Sequence, residues 1–195
     1  MRFKGPAILS LSAAAAVVVG GLFLSPAFEL ARSIEIKAHP IKVYLQIGEL
    51  KNWPRWWPWA RPGQYSKFEF GPATNGVGAT ASWRGRPAPG RVTITSANPS
   101  AGIEFDCVLD GRSHADKGAF EFSGTAAGAI VTWRFKGRFE TPVLGGYLAL
   151  IADSMHGGML DWGLGRLKEV VEADKRDLFF GEADAGLARP PLQAK

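Results

Sequence analysis

Cysteine is nearly missing from this chain: Cys107 is the only one in 195 residues. That excludes an intrachain disulfide and any multi-cysteine metal site. Histidine is almost as scarce, and His39, His114 and His156 stand apart with no H-E-x-x-H spacing, so no zinc set is visible and no metal is expected. A strong excess of one charge is absent too. The 23 basic residues outnumber the 18 acidic ones by five, and setting aside Arg2 and Lys4 leaves 21 against 18. Such a balance is too mild to mark a nucleic-acid binder on charge alone. The chain has no internal repeat either. What it does have is 46% hydrophobic residues and seven tryptophans, enough for a single domain with a substantial core.

The amino terminus carries a membrane signal. From Gly5 to Leu24 no residue is charged, the run follows Arg2 and Lys4, and its length matches the ~20 residues that span a bilayer as a helix. Positive charge on the short leading side predicts a cytoplasmic amino terminus. Two readings fit. Residues 1–28 are an uncleaved single-pass transmembrane anchor in the inner (cytoplasmic) membrane, or a secretory signal cut near Ala27, since Ser25-Pro26-Ala27 offers small residues where cleavage needs them. Either way residues 29–180 form a domain outside the cytoplasm.

Beyond the anchor, Ile34 and Ile36 alternate with Ser33, Glu35 and Lys37, which predicts a strand over 31–38. His39-Pro40 opens a short helix with Ile41, Val43, Tyr44, Ile47 and Leu50 on its apolar side. The segment 52–62, with three prolines and Trp53, Trp56, Trp57 and Trp59, cannot be a long helix or a central strand. Six strands follow, at 64–70, 78–85, 91–97, 102–110, 115–123 and 129–139, as an antiparallel meander with one dry face and one wet face. The segment 143–178 supplies the cover, a long amphipathic helix whose stripe is Leu144, Leu148, Ile151, Met155, Met159, Trp162, Leu167 and Val170, with a kink expected at Gly157-Gly158. The tail 181–195 is expected to be disordered.

This order, an α+β arrangement of a curved antiparallel sheet of about seven strands around a long carboxy-terminal helix, resembles the helix-grip fold of START-like and Bet v 1-like proteins. The residues carrying the resemblance are Arg32-x-Ile34-x-Ile36-x-Ala38-x-Pro40-x-x-Val43-Tyr44 and Leu50-x-x-Trp53-Pro54-x-Trp56-x-Pro58-Trp59. Gly76-Val77-Gly78-Ala79 before Ser82-Trp83, and Gly163-Leu164-x-x-Leu167-Lys168, add weaker support. Together they are similar to the polyketide cyclase/dehydrase and lipid-transport branch of the SRPBCC superfamily. Trp57 beside Trp56 departs from that pattern. The resemblance implies an elongated apolar cavity between helix and sheet for a hydrophobic small molecule or lipid, with no cofactor. The superfamily hosts binders and enzymes alike.

The chemistry on offer is sparse. Gly76-x-Gly78-x-x-Ala81 fits a loose dinucleotide pattern but leads into a strand, where the fingerprint needs a helix, so it reads as a tight turn. Asp153 and His156 lie three apart on the predicted helix, where a carboxylate could orient a general base, against the plainer reading of a solvated outer pair. Tyr44, Tyr65 and Tyr147 are phenols that could anchor a ligand oxygen. Cys107, between Phe105 and Leu109, reads as a buried inert thiol. The predicted dry face holds no ionisable side chain besides that thiol, so binding is the simpler function. Trp83, Phe105, Trp133, Met155, Met159 and Trp162 are expected to line the cavity. An enzyme would have to use Tyr147, His156 or Asp153. Trp53, Trp56, Trp57 and Trp59, beside Lys51, Arg55 and Arg61, read as a lid over one end or as a membrane-facing portal; an exported location argues against stacked nucleic acid. Three functions follow: a carrier of an apolar or amphipathic small molecule, a cyclase/dehydratase, and a non-catalytic envelope module whose cavity is filled by its own side chains. The sequence points to no particular protein partner.

Overall fold

The computed structural model describes residues 4–60, 67–85, 88–109 and 112–175, with backbone alone for 4–11, 13, 14 and 60. Tyr65 and the tail 181–195 lie outside the described residues. A helix α1 (Lys4–Phe23) leads through Ser25-Pro26 into β1 (Ala27–Ile36) and α2 (Pro40–Ile47). His39 caps α2 by accepting from the Ile41 N–H at Nδ1, 3.3 Å away, and Pro40 fills the first turn, where no amide donor is needed. Two 3-10 turns, Leu50–Arg55 and Pro58–Ala60, carry the tryptophan-rich segment.

The meander follows as β2 (Lys67–Phe70), β3 (Thr80–Arg84), β4 (Gly90–Asn98), β5 (Gly102–Leu109), β6 (Asp116–Thr125) and β7 (Gly128–Arg138). All pairs are antiparallel, and the seven strands lie in the order β1-β7-β6-β5-β4-β3-β2, so β1 and β2 form the edges. β1 begins earlier than the expected strand because Phe28 and Leu30, both buried, continue the alternation that Ile34 and Ile36 display. Gly76 and Gly78 have φ of 72° and 85°, a left-handed turn that glycine adopts without strain, and this is what the loose G-x-G pattern encodes.

The cover is two helices, α3 (Leu144–Leu150) and α4 (Ala152–Glu172), where one kinked helix was expected. The break falls at Ile151, while α4 runs unbroken through Gly157-Gly158. The buried side of α4 comprises Ala152, Gly157, Leu160, Gly163, Leu164, Leu167, Val170 and Val171. It is offset from the stripe of large residues. Met155 is 48% exposed, and Leu144 and Ile151 are also exposed. The reason is close approach: a Cβ on Gly163 would stand 2.8 Å from the Trp133 ring and 3.0 Å from Pro58, so the helix presents small residues to the core. Among the described residues no helix is long and apolar enough to cross a membrane.

Candidate functional site

The helix-grip frame sets the dry face of the sheet under α4, and four indoles fill the space between. Trp53, Trp56 and Trp57 are wholly buried and Trp59 is 3% exposed. Trp57 lies at the centre, with ring centroids 4.3 Å from Trp53, 5.3 Å from Trp133, 5.8 Å from Phe105 and 6.0 Å from Trp83. Trp56 packs edge-on against Phe120, and Trp59 meets Trp83. These residues therefore plug the interior. A membrane-facing portal would present exposed indoles, whereas in this structure all four are buried. Of the residues expected to line a cavity, Trp83, Phe105 and Trp133 form the wall that the plug touches, Met159 and Trp162 are half-buried, and Met155 points outward.

Hydrogen bonding within the plug is incomplete. Trp53 donates its indole N–H to the Ile47 carbonyl (2.8 Å) and Trp83 to the Ala88 carbonyl (3.0 Å). The indole N–H groups of Trp56, Trp57 and Trp133 are buried with no acceptor among the described residues. A buried unmatched donor costs about 1–3 kcal/mol, so three together form a locus of unsatisfied donor capacity inside an apolar chamber.

One end of the chamber is ionic, contrary to the expectation of a dry face without titratable groups beyond the thiol. Asp116 is 1% exposed and accepts from Arg112 Nη1 at 2.8 Å; its second oxygen lies 4.0 Å from His114 Nε2 and accepts no side-chain hydrogen bond among the described residues. Glu140 holds the outer part, accepting from the Ser113 N–H (2.9 Å) and Oγ (2.7 Å), with His114 Nδ1 at 2.5 Å. Burial pushes the Asp116 carboxyl above its ordinary value, and Arg112 and His114 oppose that shift. Glu140 is lowered, first by the Ser113 bonds. The parity of Asp116, Gly118, Phe120 and Phe122 along β6 was the available signal, since all four share one face.

His156 belongs to this end as well. It stacks on Phe28 (5.9 Å) and Phe139 (6.1 Å), and burial followed by the Arg112 charge lowers its pKa. Asp153 does not orient it: that carboxylate is 2.6 Å from Arg32 Nη2, in a clamp between β1 and α4 that Asp161 completes at 3.3 Å. The Tyr147 hydroxyl is spent on the Val17 carbonyl of α1 (3.0 Å). Tyr147, His156 and Asp153 are thus separately engaged, while Asp116 and His156 join the Cys107 thiol as titratable groups turned inward among the described residues. Cys107 is buried opposite Asp116 in the ladder, and burial raises its thiol. Among the described residues no three His, Cys, Asp or Glu side chains are grouped to hold a metal.

Three clefts are lined by described residues. The largest, about 560 Å³, opens between the end of α1 (Gly21, Leu22, Leu24) and His114, Arg138, Phe139 and Glu140. Two others, about 330 and 290 Å³, lie on sheet surfaces around Lys117 and Arg134, and around Arg84 and Arg91. None of the three lies between α4 and the sheet.

The model of the family described as polyketide cyclase/dehydrase and lipid transport matches residues 27–172. No curated protein matches the chain. Among solved structures, a Staphylococcus aureus protein of unknown function aligns at TM-score 0.61 and 11% identity, over 75% of this chain and 94% of that one. A Chromobacterium violaceum protein aligns at 0.55 and 15% (75% and 99% covered), and a Bacillus halodurans protein at 0.55 and 16% (74% and 96%). At such identities these likenesses show the fold.

Proposed function

Because the chain belongs to the polyketide cyclase/dehydrase and lipid transport family, we propose that it binds an apolar or amphipathic small molecule, lipid-like in character, in the chamber between α4 and the sheet. The observation that carries this reading is the trio of buried indole N–H groups on Trp56, Trp57 and Trp133, which a ligand carbonyl or hydroxyl would satisfy. Access requires the Trp53–Trp59 segment to open and then close over the ligand, so that the Trp56 and Trp57 N–H groups face it. That segment is suited to it: short 3-10 turns hold it by side-chain packing, with no strand ladder of its own.

The second reading, a module whose chamber is permanently filled, is favoured by the complete burial of the same indoles. Native mass spectrometry on full-length protein extracted in mild detergent separates the two. A stoichiometric small molecule, or uptake of a fluorescent fatty acid or sterol with a shift in indole emission, is expected for the carrier. If wild type takes up neither while Trp57→Ala takes up the probe, the chamber is simply filled and the carrier reading falls.

We also propose that residues 5–24, read over the whole uncharged run of the sequence and not over the described part of α1, which by itself is not long and apolar enough to span, hold the domain at the outer face of the cytoplasmic membrane. The uncharged run Gly5–Leu24 supports this, as does the packing of α1 on α3 through Tyr147, which favours retention of α1 over cleavage near Ala27. Alkaline extraction of membranes tests it: release of a form starting near Phe28 into the soluble fraction overturns the anchor.

A further inference from the structure

We infer that the domain lies down on the bilayer, with α3, the first turn of α4 and the carboxyl half of α1 forming one surface that docks into the lipid interface. From Thr141 to Ala152 no residue is charged. Leu144 (51%), Leu150 (70%), Ile151 (51%) and Met155 (48%) are exposed there, next to Leu22 (70%) and Phe23 (86%) of α1. A cluster of exposed apolar residues marks an interaction site where isolated ones, such as Val77 or Ile130, do not.

The geometry of α1 identifies the occupant. Tyr147 of α3 donates to the Val17 carbonyl, six residues before the end of α1 at Phe23. At 1.5 Å per residue, α3 sits about 9 Å up the helix from its domain end. Interfacial helices bury their apolar side by roughly 5–10 Å at the headgroup and acyl boundary, so an α1 that crosses the membrane would set α3 at that depth. Close approach makes the arrangement possible: a Cβ on Gly145 would stand 2.9 Å from the Phe139 carbonyl and 3.1 Å from Pro26. Charge at the rim agrees. Arg138 is exposed, makes no ion pair among the described residues, and lines the 560 Å³ cleft with Leu22, Leu24 and Pro26; the Glu140 carboxylate in the same cleft is held by Ser113 and His114, which leaves Arg138 to meet an anionic headgroup. The depth argument rests on the anchor reading; the exposed face does not.

The test places an environment-sensitive fluorophore on single introduced cysteines, Leu150→Cys, Val18→Cys and Val77→Cys, in the full chain reconstituted into phosphatidylethanolamine and phosphatidylglycerol vesicles carrying brominated acyl chains. Docking predicts that emission at position 150 drops about twofold relative to unbrominated vesicles, while position 77 is unchanged. Quenching at 18 without quenching at 150 leaves the anchor standing and overturns the docking. Quenching at 150 without 18 supports docking and removes the anchor, and quenching at neither removes both. Self-quenching at 150 without lipid quenching assigns the face to a second copy and overturns the inference. As a second variant, Leu150→Glu with Ile151→Glu should abolish the quenching of a fluorophore at position 144, introduced as Leu144→Cys, while leaving position 18 quenched.

Discussion

Trp57 stacks on Trp133 with ring centroids 5.3 Å apart and planes inclined by 28°, joining the proline-rich segment to strand β7. Trp57→Ala removes the largest side chain at the centre of the chamber. The expected loss is about 3–5 kcal/mol of unfolding free energy, measured by denaturant titration. A loss below about 1 kcal/mol would mean that the plug is already displaced in solution.

Arg112 and Asp116 form an ion pair whose carboxylate is buried at one end of the chamber. Arg112→Met leaves the carboxylate without its cation and should cost about 3 kcal/mol, the low end for broken buried pairs because Arg112 is partly exposed. Adding Asp116→Asn should recover most of that loss. Failure of the double variant to recover stability would show that the pair does not act as a unit.

His156 sets a pH dependence. Its folded pKa lies below the ordinary 6.5, so the unfolded chain takes up the proton first as pH falls. Stability is therefore complete above that value and is lost as pH drops from 6.5 toward the folded pKa. His156→Leu should flatten this limb relative to wild type in unfolding curves taken from about pH 8 to 5, since any carboxylate contribution at the acid end is common to both proteins. An unchanged slope would count against a neutral ring between Phe28 and Phe139.

Cys107 should resist thiol reagents. It is buried, and burial together with the Asp116 charge raises its thiol, so iodoacetamide should label denatured protein fully and native protein hardly at all. Rapid native labelling would indicate that β5 opens to solvent. The same inertness lets introduced surface cysteines be labelled with Cys107 in place.

Asp153→Asn should cost under about 1 kcal/mol and leave ligand uptake unaltered, because its bond to Arg32 is largely exposed. A large loss of uptake would return Asp153 to the list of functional groups.

Much of the frame was legible from alternation. Each expected strand exists, with ends shifted by a few residues, because period-2 burial leaves a pattern that punctuation by glycine and proline brackets. The helix face was misjudged for a physical reason: large apolar residues were given to the core, whereas α4 turns Ala152, Gly157 and Gly163 inward against bulky indoles and leaves Met155 outside. That offset also hid His156, which shares the buried side with Ala152 and Leu160. Asp116 was legible from its parity with Phe120 and was passed over because only apolar residues were assigned to that face. That the four lid tryptophans fill the chamber could not be read locally, since proline spacing shows that the segment turns, and tertiary packing decides which way.

The register of β1 bears on how the domain withstands pulling. β1 follows α1 after a three-residue link and pairs with β7 continuously from Ala27 opposite Arg138 to Ile36 opposite Ala129, with the Phe139 N–H bonded to the Pro26 carbonyl just ahead. Tension arriving from a membrane-held amino terminus and directed along the strand would load that ladder in shear, where many backbone bonds share the force and must break together. An attachment at the other edge, through β2 and its four-residue pairing with β3, would offer far fewer bonds to share it. The β1 edge is thus the mechanically stronger of the two.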